Sequence, residues 1–326
     1  MATYYGTYGQ KVQYLASDPS DPQIGQVWYN STSAVLKVRQ EVATNAWAAG
    51  GNLNTARNGL AGGGIQTAGL VFGGQTPAAS AATEKYNGTS WTASGNMNTA
   101  RYTLAGDGTQ TAALGFGGYV APGAVSSSES FNGSTWTNTP SLNTARFDIS
   151  GFGTQTASVA VGGDRFPGSP RFEAATELWN GSSWTSNPTG LNTGRNTGAG
   201  FGTQTAGILA GGETPAISTA VESWNGTTWT TATALPSARA QSGAAGTQTA
   251  GLVFGGNAPP VISQTVLWNG TSWTVNPNSM ATARRYLDGQ GTQTSALASG
   301  GFTTTQVAST EEWTGIEAQT KTVTVS

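Results

Sequence analysis

Six paired glycines, Gly73-Gly74, Gly117-Gly118, Gly162-Gly163, Gly211-Gly212, Gly255-Gly256 and Gly300-Gly301, follow one another at steps of 44, 45, 49, 44 and 45 residues. A chain written with such a period is a stack or ring of one small unit, because a unit of that size buries its apolar face only against its neighbours. Upstream of each pair stands a turn written GIQTA, GTQTA or GTQTS, and upstream of that an arginine: Arg57, Arg101, Arg146, Arg195, Arg239 or Arg284. Downstream come an aromatic residue, an Asn-Gly in the first five units, and a tryptophan.

Within one unit, RNGLAGGGIQTAGLVFGG reads as two strands joined by a tight turn, and AATEKYNGTSWTA as two more. The Asn-Gly between the aromatic strand and the tryptophan strand supplies the positive φ of a two-residue hairpin turn. Four strands in about 45 residues, without helical periodicity, predict one blade of a β-propeller. Helical repeats would not tolerate so much Gly, Thr and Asn, and a sandwich has no reason to repeat its turn chemistry.

Ten of the eleven tryptophans sit on this lattice. Trp91, Trp136, Trp184, Trp229 and Trp273 occupy the fourth-strand position, and Trp179, Trp224, Trp268 and Trp313 the third. Large aromatics at these places read as packing between blades. The sixth unit has no tryptophan after Trp313. Trp47 stands before Arg57 at the offset that separates Trp91 from Arg101, so it reads as the outer-strand tryptophan of the sixth blade, supplied from the N-terminal side. Pairing strands from both ends of the chain closes the ring and removes its exposed edges. The alternating segment TKTVTVS is a second candidate for that closing strand.

Charged residues make up only 9% of the chain, against a usual figure of about a quarter, and the formal charge is −2. No basic cluster exists, so neither nucleic acid nor an anionic membrane is an expected partner. Histidine and cysteine are both absent, which removes triad chemistry based on histidine, the usual zinc and haem ligands, and disulfides. No metal and no cofactor is expected. The start, MATYYGTYGQ, lacks the pattern of a secretory signal, and no stretch is long and apolar enough for a membrane span. The five Asn-Gly-Thr/Ser sequences are read as turns rather than glycosylation sites.

Arg, a strand ending in Gly-Gly, Glu-x-aromatic, a turn and Trp is similar to the kelch repeat, from Trp47 to Trp313, with Val266 departing from the pattern where Glu84, Glu129, Glu177, Glu222 and Glu311 stand in the other units. The resemblance implies an all-β, six-bladed kelch-like propeller over residues 35–326 whose loops bind partners. Ahead of it, DPSDPQIGQVWYNSTSAVLKV resembles a segment found near the ends of virion structural proteins of tailed bacteriophages, tail fibres included. That resemblance makes residues 1–34 an extended docking arm, with Tyr4, Tyr5, Tyr8, Tyr14, Trp28 and Tyr29 as contact residues. The expected location is the virion, in multiple copies. Its expected partners are other virion proteins and a host-surface protein or glycan. Little aliphatic content predicts that the arm orders only against a partner.

Two readings of the lattice arginines are open: a ring near one mouth of the central channel that takes an anion, or pairing with the recurring glutamates. The remaining acidic residues, Asp107, Asp148, Asp164, Glu173, Glu213 and Asp288, are scattered along the chain. Binding residues are expected in the variable segments after each Gly-Gly: Arg165, Phe166, Arg171 and Phe172 of blade three, Tyr119 of blade two, and Pro259 and Pro260 of blade five. Catalysis is not expected. The alternatives are a lectin-like propeller and, resembling other six-bladed propellers with an arginine cluster, a sialidase-like glycosidase with a carboxylate pair or Tyr-Glu nucleophile.

Overall fold

In the computed structural model, which describes residues 12–323, every regular element is a strand and no helix occurs among those residues. The chain divides into two compact units, residues 46–313 and residues 1–45 with 314–326.

The first unit is a β-propeller. Blade one consists of Ala61–Ile65, Ala68–Phe72, Thr83–Tyr86 and Trp91–Ser94, paired antiparallel in that order. Four more sheets repeat it, and the sixth is built from Asp288–Gly291, Ser295–Ser299, Thr310–Thr322 and Val35–Ala49. The N-terminal side of the chain therefore supplies the outer strand of the sixth sheet, and Trp47 lies on it. The six inner strands contact one another in a closed cycle.

The turn before the tryptophan strand differs from expectation. Tyr86 pairs with Trp91, which leaves four residues in the loop rather than two. The side-chain oxygen of Asn87 accepts from the N–H groups of Thr89 (3.0 Å) and Ser90 (2.9 Å), and only Gly88 has positive φ. Asparagine here works through its side chain, as an Asx turn, and not through left-handed backbone.

What joins the blades is written in the other turn. The amide N–H₂ of Gln110 donates to Tyr86 O (2.6 Å) and Gly69 O (3.0 Å) of the preceding blade. Gln155, Gln204, Gln248 and Gln293 repeat this clamp, and Gln66 completes the circle by donating to Trp313 O (2.8 Å). The outer tryptophans add a second set of ties. The indole N–H donates to a hydroxyl of the preceding blade: Trp91 to Thr310, Trp136 to Thr83, Trp184 to Ser128, Trp229 to Thr176 and Trp47 to Thr265, all at 2.8–3.1 Å. For Trp273 the corresponding residue is Val221, which cannot accept, so its N–H turns to Thr233 O and the ring stays partly exposed.

The six lattice arginines are at most 1% exposed, and their guanidinium groups point into the blades and not into the channel. Arg57 donates to Gly73 O, Ala82 O and the Glu84 carboxylate (2.7 Å). Arg101, Arg146, Arg195 and Arg284 pair likewise with Glu129, Glu177, Glu222 and Glu311. No anion-binding ring forms at the channel, because these arginines are buried and their Nη groups are spent within the blades. Blade five solves the missing glutamate locally: Arg239 donates to the side-chain oxygen of Gln264 (2.5 Å). The N–H that each glutamate also caps, Asn54 or Asn98 for example, is absent at Pro236, so nothing there is orphaned by Val266.

The second unit corrects the picture of an extended arm. Gln13–Leu15 runs parallel to Val27–Asn30, which pairs antiparallel with the start of Val35–Ala49. Asp18 accepts from Trp28 Nε1 (3.0 Å), Asn30 Nδ2 (2.7 Å) and Lys37 Nζ (2.6 Å), and these bonds, Lys37 first, hold its carboxyl down at about 2. Trp28 is fully buried. With its indole N–H given to Asp18, it is not exposed for the docking contact expected from sequence. Tyr14, 76% exposed, stacks on Tyr29 at 5.2 Å. Tyr4, Tyr5 and Tyr8 lie outside the described residues. The boundary thus falls after Asn45 and not after residue 34, and residues from Thr314 onward belong to the N-terminal unit.

Candidate functional site

Two residues after each lattice arginine the chain takes left-handed φ: Gly59 (59°), Thr103 (48°), Asp148 (48°), Thr197 (52°), Gln241 (60°) and Tyr286 (53°). Five of these are not glycine, and such backbone persists only where its surroundings impose it. The imposing structure is a circle of hydrogen bonds around one mouth of the channel. Thr103 N donates to Gly59 O (2.7 Å), Asp148 N to Thr103 O, Thr197 N to Asp148 O, Gln241 N to Thr197 O, Tyr286 N to Gln241 O, and Gly59 N to Tyr286 O (2.9 Å). Each rim residue thus gives its own N–H to the carbonyl of the neighbouring blade's rim residue.

The Gly-Gly pairs bring a second layer to the same mouth. With φ of 67° and 97°, Gly73 and Gly74 turn the chain back, and a Cβ on Gly73 would meet Arg101 O at 2.9 Å. The residue after each pair then bridges to the residue that precedes the rim: Gln75 to Asn58, Tyr119 to Tyr102, Asp164 to Phe147, Glu213 to Asn196, Asn257 to Ala240 and Phe302 to Arg285.

Twelve variable side chains are thereby collected at one end. Tyr102, Tyr119 and Phe147 form a continuous aromatic run, with ring centroids 5.2 Å apart at each step. Arg285 lies over Phe302 (5.5 Å) and Tyr286 (6.0 Å). Asp148, Asp164 and Glu213 sit close enough to act on one another. Burial, then Asp164 and Glu213, push the Asp148 carboxyl up to about 7, against the opposing pull of Arg171. Burial first and Asp148 next raise the Tyr286 hydroxyl. A cavity of about 90 Å³ at the rim is lined by Thr103, Asp148, Thr197, Gln241 and Tyr286, among others. Further down, glycine-rich inner strands line cavities of about 120 and 130 Å³, bordered by Asp288 and Asp107.

The acidic residues that are scattered in sequence therefore converge in space: Asp148, Asp164 and Glu213 at the mouth, Asp107 and Asp288 along the channel. Of the binding residues expected from sequence, Tyr119 stands in the aromatic run. Arg171 reaches the mouth through Asp164 (2.8 Å) and lies over Phe172 (5.8 Å). Arg165, tied to Glu173 (3.0 Å), and Phe166, 52% exposed, instead line a separate groove of about 310 Å³ with Gly123, Ala124 and Asn143. Pro259 and Pro260 stay apart on the blade-five loop. Asp148, Glu213, Tyr286, Tyr102 and Phe147 were not singled out from sequence as binding residues. The signal was their fixed offset from the lattice arginine or the Gly-Gly pair at positions whose identity changes from blade to blade. The arginine cluster that a sialidase-like site needs is absent from the mouth.

No protein-family model matches the chain, and neither does any curated protein. Among solved structures it is similar to one titled "Structure of YjhT", with a TM-score of 0.69 and 14% identity over 83% of this chain and 100% of that one. A likeness at that identity speaks for the fold alone. The protein is a β-propeller.

Proposed function

We propose that this chain is a non-enzymatic attachment component of a tailed-bacteriophage particle, whose propeller mouth recognises a host-surface glycan. The convergence of Tyr102, Tyr119 and Phe147 with Asp148, Glu213 and Arg285 on one mouth carries the reading, because sugars are recognised by aromatic faces flanked by a few fixed polar groups. The scaffold fits that use. Glutamine clamps, buried ion pairs and indole ties hold the blades, while the residues that vary between blades are those at the rim. The GQVWYNST resemblance supports the virion setting, and the exposed Tyr14, stacked on Tyr29, supplies a docking surface toward another virion protein.

Soluble full-length chain is expected to bind host cells and to compete with phage adsorption, and Tyr119→Ala to lose both effects. Cell binding that survives Tyr119→Ala but not Phe166→Ala would move the site to the groove of blades two and three. Absence of the chain from purified particles, judged by mass spectrometry, would end the virion reading.

A further inference from the structure

We propose a second carbohydrate site on the propeller, a cleft between blades four and five that takes a neutral hexose unit. It is separate from the mouth and stands whether or not the mouth binds a glycan.

The cleft arises where the chain departs from its own repeat. In four blades the third residue of the third strand reaches toward the next blade. The Lys85 ammonium donates to Gly133 O of blade two. Leu178 packs against the cluster that holds Trp224, and Leu267 against the one that holds Trp313. Glu312 accepts from the Tyr86 hydroxyl of blade one (2.5 Å). Blade four has only Ser223 there. Ser130 of blade two is equally short, but Thr139, its hydroxyl buried, pairs with that blade's third strand where blade four has Ala232. A second departure falls on the same seam: Val221 stands where the other blades carry the hydroxyl that ties the neighbouring tryptophan, and Trp273 turns to Thr233 O (2.9 Å). Left unfilled, the seam is a cleft of about 400 Å³, and its wall includes Gly270, the counterpart of the Gly133 that Lys85 reaches. Ligand sites for small molecules are roughly 300–1,000 Å³. Thr249, also in the wall, sits in the turn at the far end of the inner strand from rim residue Gln241, which places the cleft away from the mouth.

Its lining selects the ligand. Ser223, Thr231, Thr233, Thr249 and Thr271 supply hydroxyls, Gln248 supplies an amide, and no charged side chain lines the cleft. Thr233 Oγ1 is given to Thr271 O (2.7 Å), and Gln248 Nε2 to Trp224 O (2.6 Å) and Ser223 Oγ (2.9 Å). The Thr231 and Thr249 hydroxyls have no partner among the described residues. A hydroxyl both donates and accepts, and a sugar ring offers the same paired chemistry, with C–H faces for Ala232 and Gly270. A charged ligand would lose its hydration there and meet no opposite charge in exchange.

The test is titration of the full-length chain carrying Tyr119→Ala, which silences the mouth, with maltohexaose, cellohexaose and mannohexaose, and with hexagalacturonate as the charged control. At least one neutral hexamer is expected to bind, and more tightly than hexagalacturonate. Adding Ser223→Leu, the residue that blades three and five carry at this place, is expected to fill the cleft and weaken that binding by about tenfold or more, with no fall in melting temperature. Thr249→Val is expected to weaken it about twofold to tenfold, the effect of one hydrogen bond, and reads the same cleft if Ser223→Leu does not fold. Binding of none of the neutral hexamers, binding that ignores both variants, or equal or tighter binding of hexagalacturonate overturns the inference. The effect of Tyr119→Ala on cell binding decides the mouth separately.

Discussion

Glu177→Ala tests what holds the interior of a blade together. Glu177 accepts from Arg146 Nη2 (2.8 Å) and from Asn143 N (2.7 Å), and neither charged residue is more than 1% exposed. Truncation leaves a guanidinium buried without its carboxylate and a backbone N–H without an acceptor. Breaking a buried pair from one side costs about 3–5 kcal/mol, most of it the desolvated charge left behind. Blade five provides an internal control. There Arg239 already lives without a carboxylate, with burial drawing its pKa down to about 10, and Gln264→Ala removes one neutral acceptor from a cation, about 1.5–3 kcal/mol. Replacing both partners, Arg146→Met with Glu177→Leu, is expected to be far milder than Glu177→Ala, since no charge remains to be buried. Urea unfolding followed by tryptophan fluorescence measures all three variants. A loss below about 1 kcal/mol for Glu177→Ala, the value of a surface ion pair, would refute the argument, as would a double variant worse than the single one.

Two further outcomes follow from the same structure. Burial raises the carboxyl of Asp107, 6% exposed, from 3.8 to about 7, only partly offset by the Ser158 hydroxyl that donates to it. The folded chain then holds a proton that the unfolded chain releases, so stability falls as pH rises from about 4 to about 7 and levels off above. The loss is on the order of 4 kcal/mol for this one group, and denaturant midpoints for Asp107→Asn are expected to match wild type at pH 4 and exceed it at pH 8. Gln155→Ala cuts two bonds to the preceding blade, Phe131 O (2.6 Å) and Ala113 O (3.2 Å); it is expected to cost about 1–3 kcal/mol in the same assay, and a neutral result would mean the clamp is replaceable by water.

The propeller was legible in the sequence because its determinants are local and repeated. The Gly-Gly step and the tryptophan positions recur, so the four-strand unit could be read from sequence, while the choice between the Trp47 strand and TKTVTVS for closure came only from the strand pairing. The recurring glutamates offered pairing as one of two readings of the lattice arginines, and the ion pairs decide for it. Single, unrepeated features were harder. Trp28 in an arm poor in aliphatic residues reads as a contact residue, yet Asp18, Asn30 and Lys37 fold around it. The Asn-Gly turns gave a hairpin but not its length, because Asn87 acts through its side-chain oxygen rather than through φ.

Asp148 and Asp164 belong to one blade and Glu213 to the next, and the docking of these neighbouring blades sets the three together. The sequence alone determined the unit, its four strands and the residues that bind one blade to the next, all of which act over one repeat. The tertiary structure alone decided that the rim N–H groups are consumed in a circle and that aromatic and acidic side chains of several blades meet at the mouth. Those are properties of six loops meeting at one point, and no single repeat contains them.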